Sequence, residues 1–145
     1  MFLESFLPQV TERLILRRFI DLDLELFIAY RQDPQVARFQ GWSTVSEAKA
    51  QSFVKEMQTA TIGVPGEWFQ IAIAHKQSNL LIGDIGIKVY TEDLTTVEVG
   101  FTLNQHGQGK GYAREAVSTL IHSLFKLGSI NKIVAITDSQ NESSI

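Results

Sequence analysis

Hydrophobic and polar residues follow two different periods along the chain. Short runs in which apolar residues alternate with other residues, or simply predominate, occur at 12–19, 68–75, 80–90, 96–103 and 131–137 and predict β-strands. Three other runs repeat their apolar residues at helical spacing: 21–34, 43–57 and 113–125. The predicted order of elements is therefore β-α-α-β-β-β-α-β.

The predicted helices have recognisable ends. Asp33-Pro34 stops the first helix, because the residue before a proline disfavours the helical conformation. Thr44 and Glu47 have the spacing of a capping box at the start of the second helix. Gly128 follows the third helix where a C′ glycine is typical. The residues expected to form the buried stripes are Leu24, Phe27, Ile28, Phe53, Val54, Met57, Ala113, Ala116, Val117, Leu120, Ile121, Leu124 and Phe125.

The element order indicates the fold class. Short turns join the strands at 68–75, 80–90 and 96–103, which predicts an antiparallel meander. The last helix then crosses over to one further strand. We expect one α+β domain spanning residues 1–145, a mixed and mainly antiparallel sheet with helices on both faces.

Composition narrows the function classes. The net charge is −3 and the sequence pI is about 5.6, so no basic surface indicates a nucleic-acid partner. The absence of cysteine rules out disulfides, thiolate metal sites and a cysteine nucleophile, and we expect a cytoplasmic protein without a metal. The N-terminus is a poor signal peptide and no run has the length of a membrane span, so we expect no membrane partner.

Glycines alternate immediately before the third predicted helix, at Gly107, Gly109 and Gly111. Such a segment presents backbone N–H groups at the positive end of a helix dipole, where a phosphate binds well. Lys110 and Arg114 add cations that the dipole alone would disfavour. The spacing fits neither the Walker pattern nor the dinucleotide pattern GxGxxG. The alternative is a flexible loop that only turns the chain.

The sequence resembles the GNAT superfamily of acetyl-CoA-dependent N-acetyltransferases, in particular its RimJ/RimL-like branch. The segments that carry the resemblance are TERLILRRF (11–19), LIGDIGI (81–87), VEVGFTL (97–103), GQGKGYAREAV (107–117) and NES (141–143). They cover nearly the whole chain, and the loop and helix at 107–117 are the most specific part.

The resemblance implies an acetyl-CoA site. The family's loop, [Q/R]xxGx[G/A], aligns with 106–111, and only His106 departs from it, where a solvent-exposed loop histidine is the preferred reading. The fourth strand would lie beside the pantetheine arm and offer an amide N–H to the oxyanion. The implied cofactor-binding residues are Val99, Gly100, Phe101, His106, Gly107, Gln108, Gly109, Lys110, Gly111, Tyr112, Ala113 and Asn141.

The resemblance also implies direct attack of an acceptor amine on the thioester. Glu98 interrupts an apolar strand and is the candidate proton acceptor, with a surface ion pair as the alternative. Ser144 is the candidate proton donor to the thiolate, unless it is a disordered residue of the tail. Phe39 and Trp42 lie on the acceptor side in this family, and Trp68 is a further candidate; ordinary packing is the alternative for all three.

Relatives continue past Asn141 with a helix and two strands, so we expect either a truncated product or a homodimer that covers the edge at 131–137. The expected partners are acetyl-CoA and an amine acceptor, either a protein N-terminus or a small molecule. The alternative function is a non-catalytic acetyl-CoA-binding module or an inactive remnant.

Overall fold

The computed structural model describes residues 4–33 and 46–135. In chain order its regular elements are β1 (Gln9–Val10), β2 (Leu14–Arg17), α1 (Leu24–Gln32), α2 (Glu47–Thr59), β3 (Phe69–His75), β4 (Leu81–Val89), β5 (Thr96–Leu103), α3 (Tyr112–Lys126) and β6 (Lys132–Ala135). Short 3₁₀ turns occupy Glu4–Phe6, Asp21–Asp23 and Gln105–Gly107.

The strands form one six-stranded sheet in the order β1-β2-β3-β4-β5-β6. All neighbours are antiparallel except β5 and β6, which are parallel because α3 carries the chain back across the sheet. The α+β class and the mixed, mainly antiparallel sheet are confirmed. The short strand β1 was not predicted, since two residues carry no periodic pattern.

The two faces of the sheet differ in chemistry. One face is apolar, and its residues share a single core with the buried residues of α3: Leu14, Leu16, Ile71, Ile85, Ile87, Val97, Val99, Ala116, Leu120 and Leu124. The strand register puts Asp84, Gly86 and Lys88 on the other face of β4, opposite Thr102, Gly100 and Glu98 of β5. We call this second surface the polar face. The helix α1 contacts the polar face through Tyr30 and Arg31, which both bind Asp84.

Two predictions about the helices are wrong in detail. The capping box predicted from Thr44 and Glu47 does not start α2, which begins at Glu47 itself. Ser46 is its N-cap, and the Ser46 hydroxyl accepts a hydrogen bond of 3.2 Å from the N–H of Lys49. Thr44 lies outside the described residues. In α3, Phe125 is 46% exposed and does not belong to the buried stripe predicted for that helix. In α1, the predicted Leu24, Phe27 and Ile28 pack in or against the core, and Tyr30 is buried as well because the polar face offers it a carboxylate partner.

The last described strand, β6, lies at one edge of the sheet, with Ile133 and Val134 half-buried. The predicted strand 131–137 extends past the described residues. No helix within the described ranges is both long and apolar enough to cross a membrane. Within the same ranges, no three His, Asp or Glu side chains are grouped in a way that could hold a metal ion.

Candidate active site

The glycine loop ends on a helix without a side-chain cap. Gly111 is the N-cap of α3 with φ +80° and ψ +6°, and Gly109 has φ +77°. Both values lie in the left-handed region, which favours glycine. A Cβ at Gly109 would meet no described heavy atom within 4 Å, so the loop is open on that side.

The backbone amides of this segment are available to a ligand. The first hydrogen bond of α3 runs from the N–H of Glu115 to the carbonyl of Gly111, 3.0 Å away. Among the described residues, no acceptor contacts the N–H groups of 109–114. Six successive donors at the positive end of a 15-residue helix favour an anion.

Not every glycine of the loop contributes a donor. The side-chain oxygen of Asn104 accepts the N–H of Gly107 at 2.7 Å, and Gly107 is buried. The amide side chain of Gln108 donates to the carbonyl of Leu103 at 3.3 Å. These bonds fix the loop to the end of β5, so the donors available to a ligand begin at Gly109.

A second set of contacts attaches the loop to β2. The Arg13 side chain donates to the Lys110 carbonyl at 3.1 Å and to Glu115 at 2.7 Å, and its guanidinium lies 4.5 Å from the ring centre of Tyr112. Glu115 also accepts from Thr11 and from the Arg13 N–H at 2.8 Å. Partial burial opposes the shift, but these hydrogen bonds lower the pKa of Glu115 below its ordinary value.

The charged side chains of the loop lie at its surface. His106, Lys110 and Arg114 are exposed, and within the described part of the chain no carboxylate forms an ion pair with Lys110 or Arg114. Ala113 is half-buried in the first turn of α3. Two cations without ion-pair partners beside uncompensated amides make this end of the helix strongly electropositive.

The amides of β5 point alternately to its two neighbours. Tyr90 N–H donates to the Thr96 carbonyl at 3.0 Å, so the even-numbered residues of β5 bond to β4. The N–H groups of Val99 and Phe101 therefore point away from β4, toward the β6 side. The N–H of Gly100 points to β4. Val99 is paired with Ala135 in the parallel ladder, where its N–H bonds to β6, and the described pairing ends at this level, two residues before Phe101.

Glu98 lies on the polar face in a half-buried setting, with 17% of its side chain exposed. Tyr90 donates its hydroxyl to Glu98 at 3.0 Å, which raises the pKa of Tyr90. The Lys88 ammonium is 3.9 Å from the same carboxylate oxygen. We call Trp68, Lys88, Tyr90 and Glu98 the Glu98 cluster. The ion pair that was the alternative reading of Glu98 is present, but at the outer limit of contact.

A second carboxylate on the same face, Asp84, is fully buried. It accepts hydrogen bonds from Tyr30, from Arg31 at 2.9 Å and from Gln70 at 2.6 Å. Burial, and then the negative charge of Asp84, raise the pKa of Tyr30 well above its usual value. We call these four residues the Asp84 cluster.

Between the two clusters, side chains cover the polar face on β4 but not on β5. Gly86 and Gly100 are directly opposite each other. A Cβ at Gly86 would collide with Gln70 at 2.3 Å, whereas a Cβ at Gly100 would meet no described atom within 4 Å. The surface over Gly100 is therefore open among the described residues and adjoins Glu98.

Four of the predicted site residues lie outside the described residues: Phe39, Trp42, Asn141 and Ser144. Of the rest, the structure brings the loop residues 106–113 together at the start of α3 and places 98–101 on the neighbouring strand.

The sequence reasoning missed Arg13 and the Asp84 cluster. Arg13 lies in the segment 11–19, and no local pattern links it to a loop 97 residues away. Asp84 carried the same signal as Glu98, a carboxylate inside an apolar strand. That signal could have found it.

Comparison with known proteins identifies the family. The model of the acetyltransferase (GNAT) domain family matches residues 13–145. The uncharacterized N-acetyltransferase p20 of Bacillus licheniformis is 27% identical over 136 residues, covering 93% of this chain and 75% of p20.

Solved structures agree in fold. The crystal structure of a GNAT-family acetyltransferase from Bacillus anthracis superposes with a TM-score of 0.80 at 25% identity, covering 94% of this chain and 76% of that one. RimL, a ribosomal L7/L12 α-N-protein acetyltransferase solved with coenzyme A, has a TM-score of 0.74 at 15% identity, covering 94% and 77%. The chain therefore belongs to the GNAT family and is an acetyltransferase.

Proposed function

We propose that the protein transfers the acetyl group of acetyl-CoA to a primary amine, on a protein N-terminus or on a small molecule. One observation carries the cofactor half of the proposal. The N–H groups of 109–114 have no acceptor among the described residues and lie at a helix start that no side chain caps. A pyrophosphate satisfies such donors, and RimL was solved with coenzyme A.

The residues present fit the cofactor. Gly109 leaves room for a phosphate to approach the backbone, and Lys110 and Arg114 supply counter-charge. Arg13 holds the Lys110 carbonyl and so fixes the loop before the ligand arrives. Acetyl-CoA would supply an activated acetyl group, and the stretch 99–101 of β5 is the predicted neighbour of its thioester.

Glu98 is the proposed proton acceptor. An acceptor amine arrives as an ammonium and must lose one proton to become a nucleophile. The carboxylate of Glu98 takes that proton. As the new N–C bond forms, the C–S bond breaks, and the remaining excess proton on nitrogen leaves with the thiolate as free CoA. The hydrogen bond from Tyr90 fixes the orientation of the carboxylate beforehand.

Titration calorimetry with acetyl-CoA tests the cofactor half. We expect micromolar binding by the wild type and at least a hundredfold loss in Gly109→Glu, because a carboxylate would enter the anion site. Gly128→Glu is the matched control: Gly128 has φ +79° and equally open surroundings, at the far end of α3. Its binding should equal that of the wild type. Equal binding by Gly109→Glu, or none by the folded wild type, would overturn the proposal.

Amine-dependent release of free thiol tests the transfer. Release that requires both acetyl-CoA and an added amine supports the enzyme. Binding of acetyl-CoA without such release supports the alternative, a non-catalytic acetyl-CoA-binding module.

Three further assignments are predictions. These are the RimJ/RimL-like branch, a cytoplasmic location and a homodimer along 131–137. The half-buried Ile133 and Val134 on the edge strand β6 support a dimer, since unpaired strand edges favour association. Light scattering that gives the mass of one chain at micromolar concentration would contradict the dimer.

A further inference from the structure

An ammonium group already occupies the Glu98 cluster. The Lys88 Nζ lies 5.1 Å from the ring centre of Trp68, 5.8 Å from that of Tyr90 and 3.9 Å from a carboxylate oxygen of Glu98. Two aromatic faces and one carboxylate around a single cation form an ammonium cage.

Lys88 fills this cage loosely. Its ion pair with Glu98 is at the limit of contact, and 29% of its side chain is exposed. A lysine side chain has four rotatable bonds, so the ammonium can leave while the strand stays in place. By contrast, Tyr90 is held to Glu98 by a hydrogen bond of 3.0 Å. The Tyr90 side chain is therefore held more firmly than the Lys88 ammonium beside it.

The cage opens onto the uncovered part of the polar face. Trp68 lies over Gly86, where its ring would be 3.0 Å from an added Cβ. Gly100, two residues from Glu98 on the same face, has no described atom above it. An unbranched chain could pass over Gly100 with its ammonium between Trp68, Tyr90 and Glu98.

We propose that this cage is the binding site for the acceptor's ammonium group and that Lys88 stands in for it when no acceptor is bound. The proposal rests on the proposed acetyl transfer and narrows its acceptor. The occupant seen is a primary ammonium on an unbranched alkyl chain, so the preferred acceptors are of that class: diamines, polyamines or lysine side chains. An α-amine carries a branched carbon beside its nitrogen and fits less well.

NMR titration of the ¹⁵N-labelled protein tests the cage without any turnover. The indole N–H signal of Trp68 is assigned by its absence from the Trp68→Ala spectrum. We expect 1,5-diaminopentane to shift that signal saturably, and the neutral isostere 1,5-pentanediol to leave it unchanged. An equal shift with the diol would overturn the proposal, because a cage for cations must discriminate charge.

Three variants distinguish the residues that line the cage from Lys88, which occupies it. Lys88→Met should lower the midpoint of the diamine titration at least threefold, since the internal competitor is gone. Tyr90→Ala should raise it about threefold to fivefold through loss of one cation–π wall. Phe125→Ala removes an aromatic residue of similar exposure, 46% against 42% for Trp68, and should change nothing. Weaker binding in Lys88→Met would overturn the proposal, because Lys88 would then build the site.

Acetyl transfer gives the second measurement. We expect kcat/KM for 1,5-diaminopentane to exceed that for the dipeptide amide Ser-Ala at least tenfold, and Trp68→Ala to raise KM for the diamine with its kcat unchanged. A preference for the dipeptide would overturn the narrowed acceptor class. Failure of acetyl-CoA to bind, with the diamine shift intact, would overturn the proposed function but leave the cage.

Discussion

Two carboxylates on the polar face have opposite surroundings. Asp84 is fully buried and accepts hydrogen bonds from Tyr30, Arg31 and Gln70. Glu98 is half-buried, and among the described residues its carboxylate accepts one hydrogen bond, from Tyr90, while the Lys88 ammonium lies 3.9 Å away. They lie on adjacent strands, and about 13 Å of strand separates Glu98 from Thr102, the partner of Asp84.

The difference lies in how completely each carboxylate is satisfied. A buried charge is stable only when its donors are all in place, so the Asp84 cluster is a closed structural unit that joins α1 to the sheet. A partly exposed carboxylate with an incomplete set of donors can exchange one partner for another. Glu98 is therefore free to exchange Lys88 for another ammonium, whereas Asp84 keeps its partners.

The largest expected effect on stability comes from removing the buried carboxylate. Asp84→Ala removes one member of the buried Asp84–Arg31 ion pair and the acceptor for Tyr30 and Gln70, and we expect the free energy of unfolding to fall by about 3–5 kcal/mol. Glu98→Ala is the matched change on the neighbouring strand and should cost less than about 1 kcal/mol. Urea denaturation measures both. Equal losses of unfolding free energy would mean that the two clusters stabilise the fold equally.

Activity should show the reverse order. Glu98→Gln keeps the size of the side chain but cannot accept a proton, so we expect kcat/KM for acetyl transfer to fall at least about a hundredfold. That corresponds to about 2.7 kcal/mol of transition-state stabilisation. The urea midpoint should stay that of the wild type. A variant that retains half of the activity would remove Glu98 from the chemistry.

The two tyrosines sharpen the comparison, because each donates its hydroxyl to one carboxylate. Tyr30→Phe leaves a buried carboxylate with one donor fewer and should cost about 1–3 kcal/mol of unfolding free energy. Tyr90→Phe removes a half-buried bond and should cost less, under about 1 kcal/mol. A larger loss for Tyr90→Phe than for Tyr30→Phe would contradict the assignment of burial to the Asp84 cluster.

A third carboxylate, Glu115, gives the smallest effect and a pH dependence. Its pKa in the folded protein lies below the ordinary value of 4.5, so it stabilises the fold fully above pH 4.5, and this contribution is lost as the pH falls through the folded pKa. Glu115→Gln should cost about 1 kcal/mol or less at pH 7. The difference from the wild type should shrink below pH 4.5 in urea titrations, and a growing difference would contradict the shift.

Residue patterns predicted the parts of the site that are local in sequence. The alternation around 96–103 and the glycines before α3 gave the strand, the loop and the helix that carry Glu98 and the open amides. The start of α2 was predicted two residues too early, because Thr44 and Ser46 are both good caps and the sequence does not say which is used. The partners of Glu98 were not predicted, since strand register decides them.

The sequence by itself determined the order of elements, the meander and the glycine loop, because periodicity and backbone freedom act over a few residues. Only the tertiary structure decided which polar groups meet. Tyr30 reaches Asp84 across 54 residues, and Arg13 reaches the Lys110 carbonyl across 97. Contacts of this kind arise when the register of the sheet and the packing of a helix bring distant side chains together, so no local pattern encodes them.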